Sequence, residues 1–303
     1  MKNTPFALEI ISVPMSFGGN VGGAELGPDA IKKAGLVSLL KKLGFKVKED
    51  GDIKPKTKKP QKVNPKARHL AEILKVDKKV AESVYNAIKS KMFPLLLGGD
   101  HSIAIGSIAG LSKSFDDLVG VIYFDAHGDF NTPETTPSGN VHGMPLALIS
   151  GQYKAKALPL DMKKPVDPRN IVIIGARDID PKEKILLKKA GVHVVGMNEI
   201  KTNGINKIIA EAIQIAAENG RKVHLSVDID VLDPKFATGT GTPVPGGLDL
   251  SELKVAMSIL GSSGCVGSFE MAEVNPLKDE DGTTAPVAVE VINSFFSKFI
   301  NKI

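Results

Sequence analysis

Two carboxylates and an imidazole stand at alternate positions directly after an apolar run in the middle of the chain. The run LVGVIYF, residues 118–124, is followed by Asp125, His127 and Asp129. Alternate side chains of an extended segment share a face, so these three groups are expected to converge. Two carboxylates at a buried strand end repel each other unless a cation neutralises them. The spacing indicates a cation site; the alternative is a polar strand end with a capping Asp and a hydrogen-bonded His.

Two further apolar runs end in residues of the same types. His101 follows LLLGGD, and Asp228 and Asp230 end the run VHLSVDID. Two imidazoles and four carboxylates exceed the three or four ligands of a zinc site, and carboxylate-rich coordination suits Mn²⁺ better than Zn²⁺. Four carboxylates also balance the charge of two divalent ions. We therefore predict two Mn²⁺ ions held by His101, Asp125, His127, Asp129, Asp228 and Asp230.

Six collinear segments carry a resemblance to a known family. GGDHS, DAHGDFNT, SGNVHG, SVDIDVLDP, GTPVPGGL and EVNP resemble the signature segments of the ureohydrolases, and SGNVHG resembles the arginase version of its segment. The similarity runs from SVPMSFGGNVGGAELGPDAI near the start to EVNP near the end. It implies an arginase, a hydrolase that converts L-arginine to L-ornithine and urea. Metal lowers the pKa of bound water from about 15.7 to about 7, so a hydroxide bridging two ions would attack the guanidinium carbon.

The resemblance implies how the six ligand candidates divide between the two ions. One ion would be held by His101, Asp125, Asp129 and Asp228, and the other by Asp125, His127, Asp228 and Asp230. Asp125 and Asp228 would then bridge the pair.

Direct catalytic roles are expected for His142, Glu273 and Asp129. The imidazole of His142 titrates near neutral pH and can protonate the departing amine, the role that its counterpart has in similar enzymes. The carboxylate of Glu273 matches the bidentate geometry of a guanidinium group. From the residues alone, the alternatives are a helix-start residue at His142 and a strand-end carboxylate at Glu273.

Substrate selection is expected at the far end of the substrate, since arginine carries an α-carboxylate that agmatine lacks. We predict that the α-carboxylate accepts hydrogen bonds from Asn131, Ser138 and Asn140, and that the α-ammonium donates to Asp180 and Glu183. Thr242 is predicted to lie beside the site. Turn formation and helix capping explain several of these residues as well. The alternative functions are an agmatinase or other guanidino-compound ureohydrolase, and a catalytically silent binding protein.

The elements that must position these residues read as alternating strands and helices. About eight strand-like apolar runs alternate mostly with helical patterns, which indicates a parallel sheet covered on both faces. Ligands of such sheets bind beyond the carboxyl ends of the strands, where every metal-ligand candidate falls. The resemblance implies a three-layer α/β/α fold with a central, mostly parallel eight-stranded sheet. From periodicity alone, a closed (β/α)₈ barrel is the alternative.

Composition narrows the class of protein further. With 303 residues, of which 42% are hydrophobic, the chain can bury a large core, and we expect one domain over residues 1–303. A single cysteine, Cys265, excludes an intrachain disulfide and a thiolate cluster. The start of the chain shows no signal pattern, so a cytoplasmic location is expected.

The net charge of +5 could suggest an anionic partner. Much of the excess lies in a Lys-rich stretch at residues 54–68, which we interpret as a solvated loop. Neither a nucleic-acid nor a membrane partner is therefore expected. The resemblance implies a homo-oligomer, a trimer or a hexamer.

Overall fold

A computed structural model describes residues 6–56, 64–116, 118–153, 160 and 162–299. Its strands are β1 (Ala7–Val13), β2 (Lys46–Glu49), β3 (Phe93–Gly98), β4 (Val119–Phe124), β5 (Ile171–Ala176), β6 (His193–Gly196), β7 (Lys222–Asp228) and β8 (Val266–Ala272). Its helices are α1 (Gly27–Lys33), α2 (Leu36–Lys42), α3 (Leu70–Lys89), α4 (Ala104–Ser114), α5 (Pro145–Ile149), α6 (Pro181–Ala190), α7 (Met197–Asn203), α8 (Ile205–Ala216), α9 (Leu250–Ser263) and α10 (Thr284–Phe299).

The eight strands form one sheet in the order β2-β1-β3-β8-β7-β4-β5-β6. Every neighbouring pair is parallel. The sheet is open, with β2 and β6 at its edges, so the three-layer prediction is confirmed and the barrel alternative is wrong. Parallel neighbours need crossover connections, and the helices between the strands supply them.

Apolar side chains of the strands alternate between two cores. In β3, Leu95 and Leu97 belong to one core and Leu96 to the other. The first core also contains residues of α1, α2, α7, α8, α9 and α10, and the second contains residues of α3, α4, α5 and α6. The fully apolar strands thus bury both faces, as expected of a parallel sheet.

The helical pattern after Pro28 is interrupted in the structure. The sequence predicts one helix that ends at Gly44, whereas α1 and α2 are separated near Gly35, which has a φ of 101°. Glycine takes this left-handed conformation at little cost, and it ends one helix and redirects the next. The 3.6-residue pattern of LAEILKVDKKVAESVYNAI predicts a long helix, and the structure confirms it as α3.

Three other expectations have different outcomes. The partly polar segment FKVKEDGDI predicts a strand near a sheet edge, and β2 lies at such an edge. Of the Lys-rich stretch, residues 57–63 lie outside the described residues. The single domain over residues 1–303 stays a prediction. In the described part of the chain, no helix has the length and apolar character needed to cross a membrane.

The central strands place the predicted ligands side by side. β3, β8, β7 and β4 are consecutive in the sheet. Asp125 and Glu273 directly follow β4 and β8, His101 comes three residues after the end of β3, and Asp228 is the last residue of β7. Four segments that are far apart in sequence therefore meet at the carboxyl ends of the central strands.

Candidate metal centre and substrate pocket

The imidazole of His101 faces three carboxylates. Its Nδ1 atom lies 3.0 Å from Asp125 Oδ2, 3.2 Å from Asp228 Oδ2 and 3.4 Å from Asp129 Oδ2. All four residues are buried. His101, Asp125 and Asp228 each offer a ligand atom, and these atoms lie within 4.8 Å of one another.

A second group of ligand atoms adjoins the first. His127 Nδ1 lies 3.2 Å from Asp125 Oδ1 and 3.1 Å from Asp230 Oδ2. Asp125 belongs to both groups and turns a different oxygen to each imidazole. The structure therefore brings all six predicted ligands together, in two groups that share a carboxylate.

Short turns of backbone aim these carboxylates. The Asp228 carboxylate accepts a hydrogen bond from the backbone N–H of Asp230 at 2.8 Å, and Asp125 accepts one from the backbone N–H of His127 at 2.6 Å. Asp129 has a φ of 48°, in the left-handed region that few residues other than glycine adopt. Such strained residues are concentrated at functional sites, because the surrounding structure must hold them there.

Polar side chains within the strands form hydrogen bonds with the predicted ligands and with each other. The sequence analysis did not predict these residues. His101 Nε2 lies 2.7 Å from Ser226 Oγ, and Ser226 donates to Glu270 at 2.9 Å. The Tyr123 hydroxyl donates to Asp129 Oδ2 at 2.7 Å, and its ring stacks on the His101 ring. One signal was available: Ser226 and Tyr123 each stand two residues before a ligand and therefore share its face of the strand.

The electrostatics of the cluster favour added positive charge. Burial raises the pKa of Asp228, and the nearby charges of Asp230 and Asp125 raise it further. Burial lowers the pKa of the His127 imidazole, but its bonds with Asp125 and Asp230 outweigh this effect and raise it strongly. Carboxylate oxygens and imidazole nitrogens suit hard divalent cations, so the donor set fits a pair of such ions.

His142, which is partly exposed, forms a pair with the buried Glu273 beside the cluster. His142 Nδ1 lies 2.9 Å from Glu273 Oε1, and Glu273 Oε1 also accepts a bond from the backbone N–H of His101 at 2.9 Å. Burial lowers the pKa of His142, but the bond to Glu273 and the charges of Asp100 and Asp129 raise it to about 9. His142 is therefore protonated at neutral pH. Glu273, which the sequence predicts as the partner of the substrate guanidinium, therefore also contacts His142 through Oε1.

One pocket extends from the cluster to the predicted substrate residues. Its lining includes three of the predicted ligands, His127, Asp129 and Asp228. It also includes His142 and all six predicted substrate-binding residues, namely Asn131, Ser138, Asn140, Asp180, Glu183 and Thr242. Sequence reasoning missed Thr136, Gly143 and Asp178, which line the same pocket.

Several lining residues combine a local structural role with a place in the pocket. Glu183 Oε1 accepts from the backbone N–H of Phe130 at 2.7 Å, and Glu183 and Asp180 form the capping box of α6. Burial raises the pKa of Glu183 to about 7. Asn131 donates to Asp180 Oδ2 at 2.9 Å, so the predicted carboxylate and ammonium sites adjoin. Thr242 donates to Asp230 Oδ2 at 3.1 Å, next to the cluster.

Comparisons with known proteins agree with this arrangement. A model of the Arginase family matches residues 6–297. The chain is 43% identical to an arginase of Bacillus subtilis (strain 168) over 293 residues, which are 96% of this chain and 98% of that protein. It is similar to the solved native structure of arginase from Bacillus caldovelox, with a TM-score of 0.91 and 39% identity over 97% of this chain and 98% of that one. It is also similar to the arginase structure from Bacillus cereus, with a TM-score of 0.89 and 41% identity over 96% and 98% of the two chains.

Proposed function

This chain belongs to the arginase family, and from that premise we propose that it hydrolyses L-arginine to L-ornithine and urea at two divalent metal ions. One observation carries the proposal: a single pocket joins a cluster of two imidazoles and four carboxylates to a set of neutral hydrogen-bond donors. The cluster suits the guanidinium chemistry. The donors suit the carboxylate that distinguishes arginine from agmatine.

The proposed ligands of the ions are the six residues of the cluster. His101, Asp125, Asp129 and Asp228 would hold one ion, and Asp125, His127, Asp228 and Asp230 the other. The two groups of neighbouring ligand atoms and their shared carboxylate support this division. When bound, two divalent ions lower the pKa of water and so supply a nucleophile for the guanidinium carbon at neutral pH.

His142 is proposed to protonate the departing amine. Its imidazole lines the pocket, and its pKa of about 9 keeps a proton available at neutral pH. Hydrolysis transfers one proton to the ornithine nitrogen as the carbon–nitrogen bond breaks. Glu273 is proposed to orient His142 through Oε1 and to meet the substrate guanidinium through Oε2.

The amino-acid end of the substrate is proposed to lie against the loop after β4 and the start of α6. Ser138, Asn140 and Asn131 would donate to the α-carboxylate, and Asp180 and Glu183 would accept from the α-ammonium. Their common place in the pocket lining supports this orientation. Bound this way, the guanidinium points to the cluster and the carboxylate to the pocket mouth.

The metal, the assembly and the compartment are also proposals. Manganese is supported by the carboxylate-rich ligand set. The single cysteine is compatible with a cytoplasmic location. A trimer or hexamer is proposed from the family resemblance, and light scattering of the metal-loaded protein tests it.

The experiment that tests the function measures urea release from L-arginine and, in parallel, from agmatine. The protein is loaded with Mn²⁺, and a chelated sample is the control. We expect metal-dependent turnover of L-arginine and little turnover of agmatine. Turnover of agmatine instead would keep the metal chemistry and overturn the substrate assignment. Metal-loaded protein that hydrolyses neither compound would favour a silent binding protein.

A further inference from the structure

The segment before α3, residues 64–69, packs directly against the pocket loop of residues 136–140. The backbone N–H of Arg68 donates to Gly139 O at 2.9 Å, and Lys66 Nζ donates to Thr136 O at 3.4 Å. Gly139 has a φ of 75°, and a Cβ atom there would lie 1.9 Å from Pro65 O. The loop that carries Ser138 and Asn140 is thus held by this segment as well as by β4.

Arg68 of this segment extends the contact to side chains. Its Nη1 donates to Asn20 Oδ1 at 2.5 Å and to Asn140 Oδ1 at 3.5 Å. The guanidinium therefore connects three parts of the chain beside Asn140, which lines the pocket. Both acceptors are neutral amide oxygens, and in the described part of the chain Arg68 takes part in no ion pair.

This contact favours one of the two orientations of the Asn140 amide. An amide carries its acceptor oxygen and its donor NH₂ on opposite branches of one plane. Because the guanidinium can only donate, it selects the orientation in which Asn140 Oδ1 points to Arg68. Asn140 also lines the pocket, so the NH₂ group is the branch left for a ligand. Ser138 Oγ accepts from the backbone N–H of Asn140 at 3.2 Å and lies 3.5 Å from Thr136 Oγ1, so its hydroxyl hydrogen can go to Thr136 or to a ligand.

We propose that Arg68 is a positioning residue for substrate selection: it orients Asn140 as a hydrogen-bond donor and so favours ligands that carry an α-carboxylate. The proposal rests on the proposed function in one respect, the binding of the substrate carboxylate by Ser138 and Asn140. Without Arg68, the Asn140 amide is free to turn its oxygen to the carboxylate, which it would repel.

The first test compares wild-type protein with Arg68→Met. The ligands are L-ornithine and putrescine, which differ only in the α-carboxylate, and binding to Mn²⁺-loaded protein is measured by calorimetry. We expect the affinity for L-ornithine to fall about tenfold, the size of one lost charge-assisted hydrogen bond, and the affinity for putrescine to stay within about twofold. KM for L-arginine should rise by a similar factor with kcat almost unchanged.

Two control variants accompany this test. Arg169→Met removes the same charge at the opposite end of the sheet, where Arg169 precedes β5 and pairs with Asp167. It should leave both affinities unchanged. Arg68→Lys keeps a cation but loses the planar fork, so its L-ornithine affinity should fall between those of wild type and Arg68→Met. The Lys variant decides the matter if Arg68→Met does not fold.

A double-mutant comparison tests whether Arg68 acts through Asn140. Asn140→Ala alone should weaken L-ornithine binding, and adding Arg68→Met to it should change the affinity by less than about twofold. If Arg68→Met lowers the L-ornithine affinity by the same factor in the wild type and in Asn140→Ala, the positioning role is overturned.

The remaining outcomes separate this inference from the proposed function. An unchanged affinity of Arg68→Met for L-ornithine, or an equal loss for putrescine, overturns the inference while L-arginine turnover by the wild type stands. If the wild type releases no urea from L-arginine, the proposed function fails. The comparison of L-ornithine with putrescine still decides the role of Arg68 in that case.

Discussion

At the scale of single residues, Asp125 explains why the cluster suits two cations. Its two oxygens face different imidazoles, so neither group of ligands is complete without it. Burial removes water that would otherwise screen the surrounding carboxylates, which makes their repulsion larger than at the surface. Positive charge is therefore part of the stable form of this site.

The ligand assignment predicts the effect of Asp228→Asn. An amide has one weaker oxygen donor and no charge, so we expect loss of at least one metal ion and of nearly all urea release. Metal affinity should fall by more than about 100-fold, since losing an outer partner of a metal ligand already costs about 10- to 100-fold. Metal content after dialysis is the measurement. Asp29→Asn, which removes an exposed ion pair with Lys33, is the control. If Asp228→Asn keeps two metal ions and full activity, the ligand assignment is refuted.

The pair of His142 and Glu273 predicts a shifted titration in metal-free protein. Glu273→Gln removes the main influence that opposes burial, so the pKa of His142 should fall from about 9 toward its ordinary value of 6.5. A histidine with a raised folded-state pKa stabilises the fold fully below pH 6.5 and loses that contribution as pH rises through about 9. The variant should therefore lose less stability across this interval.

NMR titration of the His142 ring protons measures the pKa, and thermal unfolding between these pH values measures the stability. A midpoint that stays near its wild-type position in Glu273→Gln would show that Asp100 and Asp129 hold the proton without Glu273.

At the scale of elements, Gly99 joins three strands at the point where His101 leaves the sheet. Its N–H donates to Val13 O at 2.9 Å, and its carbonyl accepts from the N–H of Glu273 at 2.8 Å. A Cβ atom at this position would lie 1.9 Å from Met15 O. No other residue leaves room for this crossing of β1, β3 and β8.

Gly99→Ala is expected to separate these strand ends. The clash should lower the free energy of unfolding by about 1 to 3 kcal/mol or more and weaken metal binding, because His101 lies two residues away. Denaturant unfolding and metal titration are the measurements. Gly51→Ala is the matched control, since a Cβ atom there meets nothing within 4 Å. Equal stability of the two variants would contradict the close approach.

The contact between α3 and α4 contains a buried acid, Asp77. Neither of its oxygens has a hydrogen-bond partner of normal geometry among the described residues. Burial raises its pKa well above the ordinary value of 3.8, and the charges of Asp100 and Glu270 add to the effect. A carboxyl group with a raised folded-state pKa favours the fold below pH 3.8, and this contribution is lost as pH rises through the higher folded-state value.

Asp77→Asn is therefore expected to stabilise the protein at neutral pH. The amide cannot ionise, so stability should decline less between pH 4 and neutrality, with a gain of about 1 to 3 kcal/mol at pH 7. Chemical unfolding at several pH values measures it. Asp281→Asn, in the exposed loop before α10, is the control and should leave the pH dependence of the free energy of unfolding unchanged. A variant less stable than wild type at pH 7 would mean that the charged carboxylate has a stabilising role.

Sequence patterns predicted the elements better than the contacts between them. Strand-like runs that end in His or Asp indicated the six ligands, because alternation and strand ends are local properties. The break at Gly35 was missed, since glycine inside a helical pattern has no fixed effect. Glu270 and Arg68 were missed because their roles depend on partners more than 40 residues away in sequence. Such pairings follow from the strand order, which no local pattern contains.

At the scale of the whole molecule, metal binding should raise the stability of the fold. Ions that bind only the folded chain stabilise it by about 2.7 kcal/mol per site at 100 times Kd. Mn²⁺ should therefore raise Tm by several degrees, and chelation should reverse the rise. Asp228→Asn should show a smaller rise. An identical Tm with and without Mn²⁺ would contradict a centre built from four strands of the core sheet.

The position of β8 has a consequence for how the molecule is made. The last strand along the chain inserts between β3 and β7, and it pairs Leu95 with Phe269. Sheets that join such distant segments form slowly, because the chain loses the entropy of loop closure before the stabilising contacts between strands form. Because β8 separates β3 from β7, we expect the relative position of His101 and Asp228 to be fixed only after β8 has been synthesised. We therefore expect the complete cluster to bind metal late in maturation, after β8 has joined the sheet.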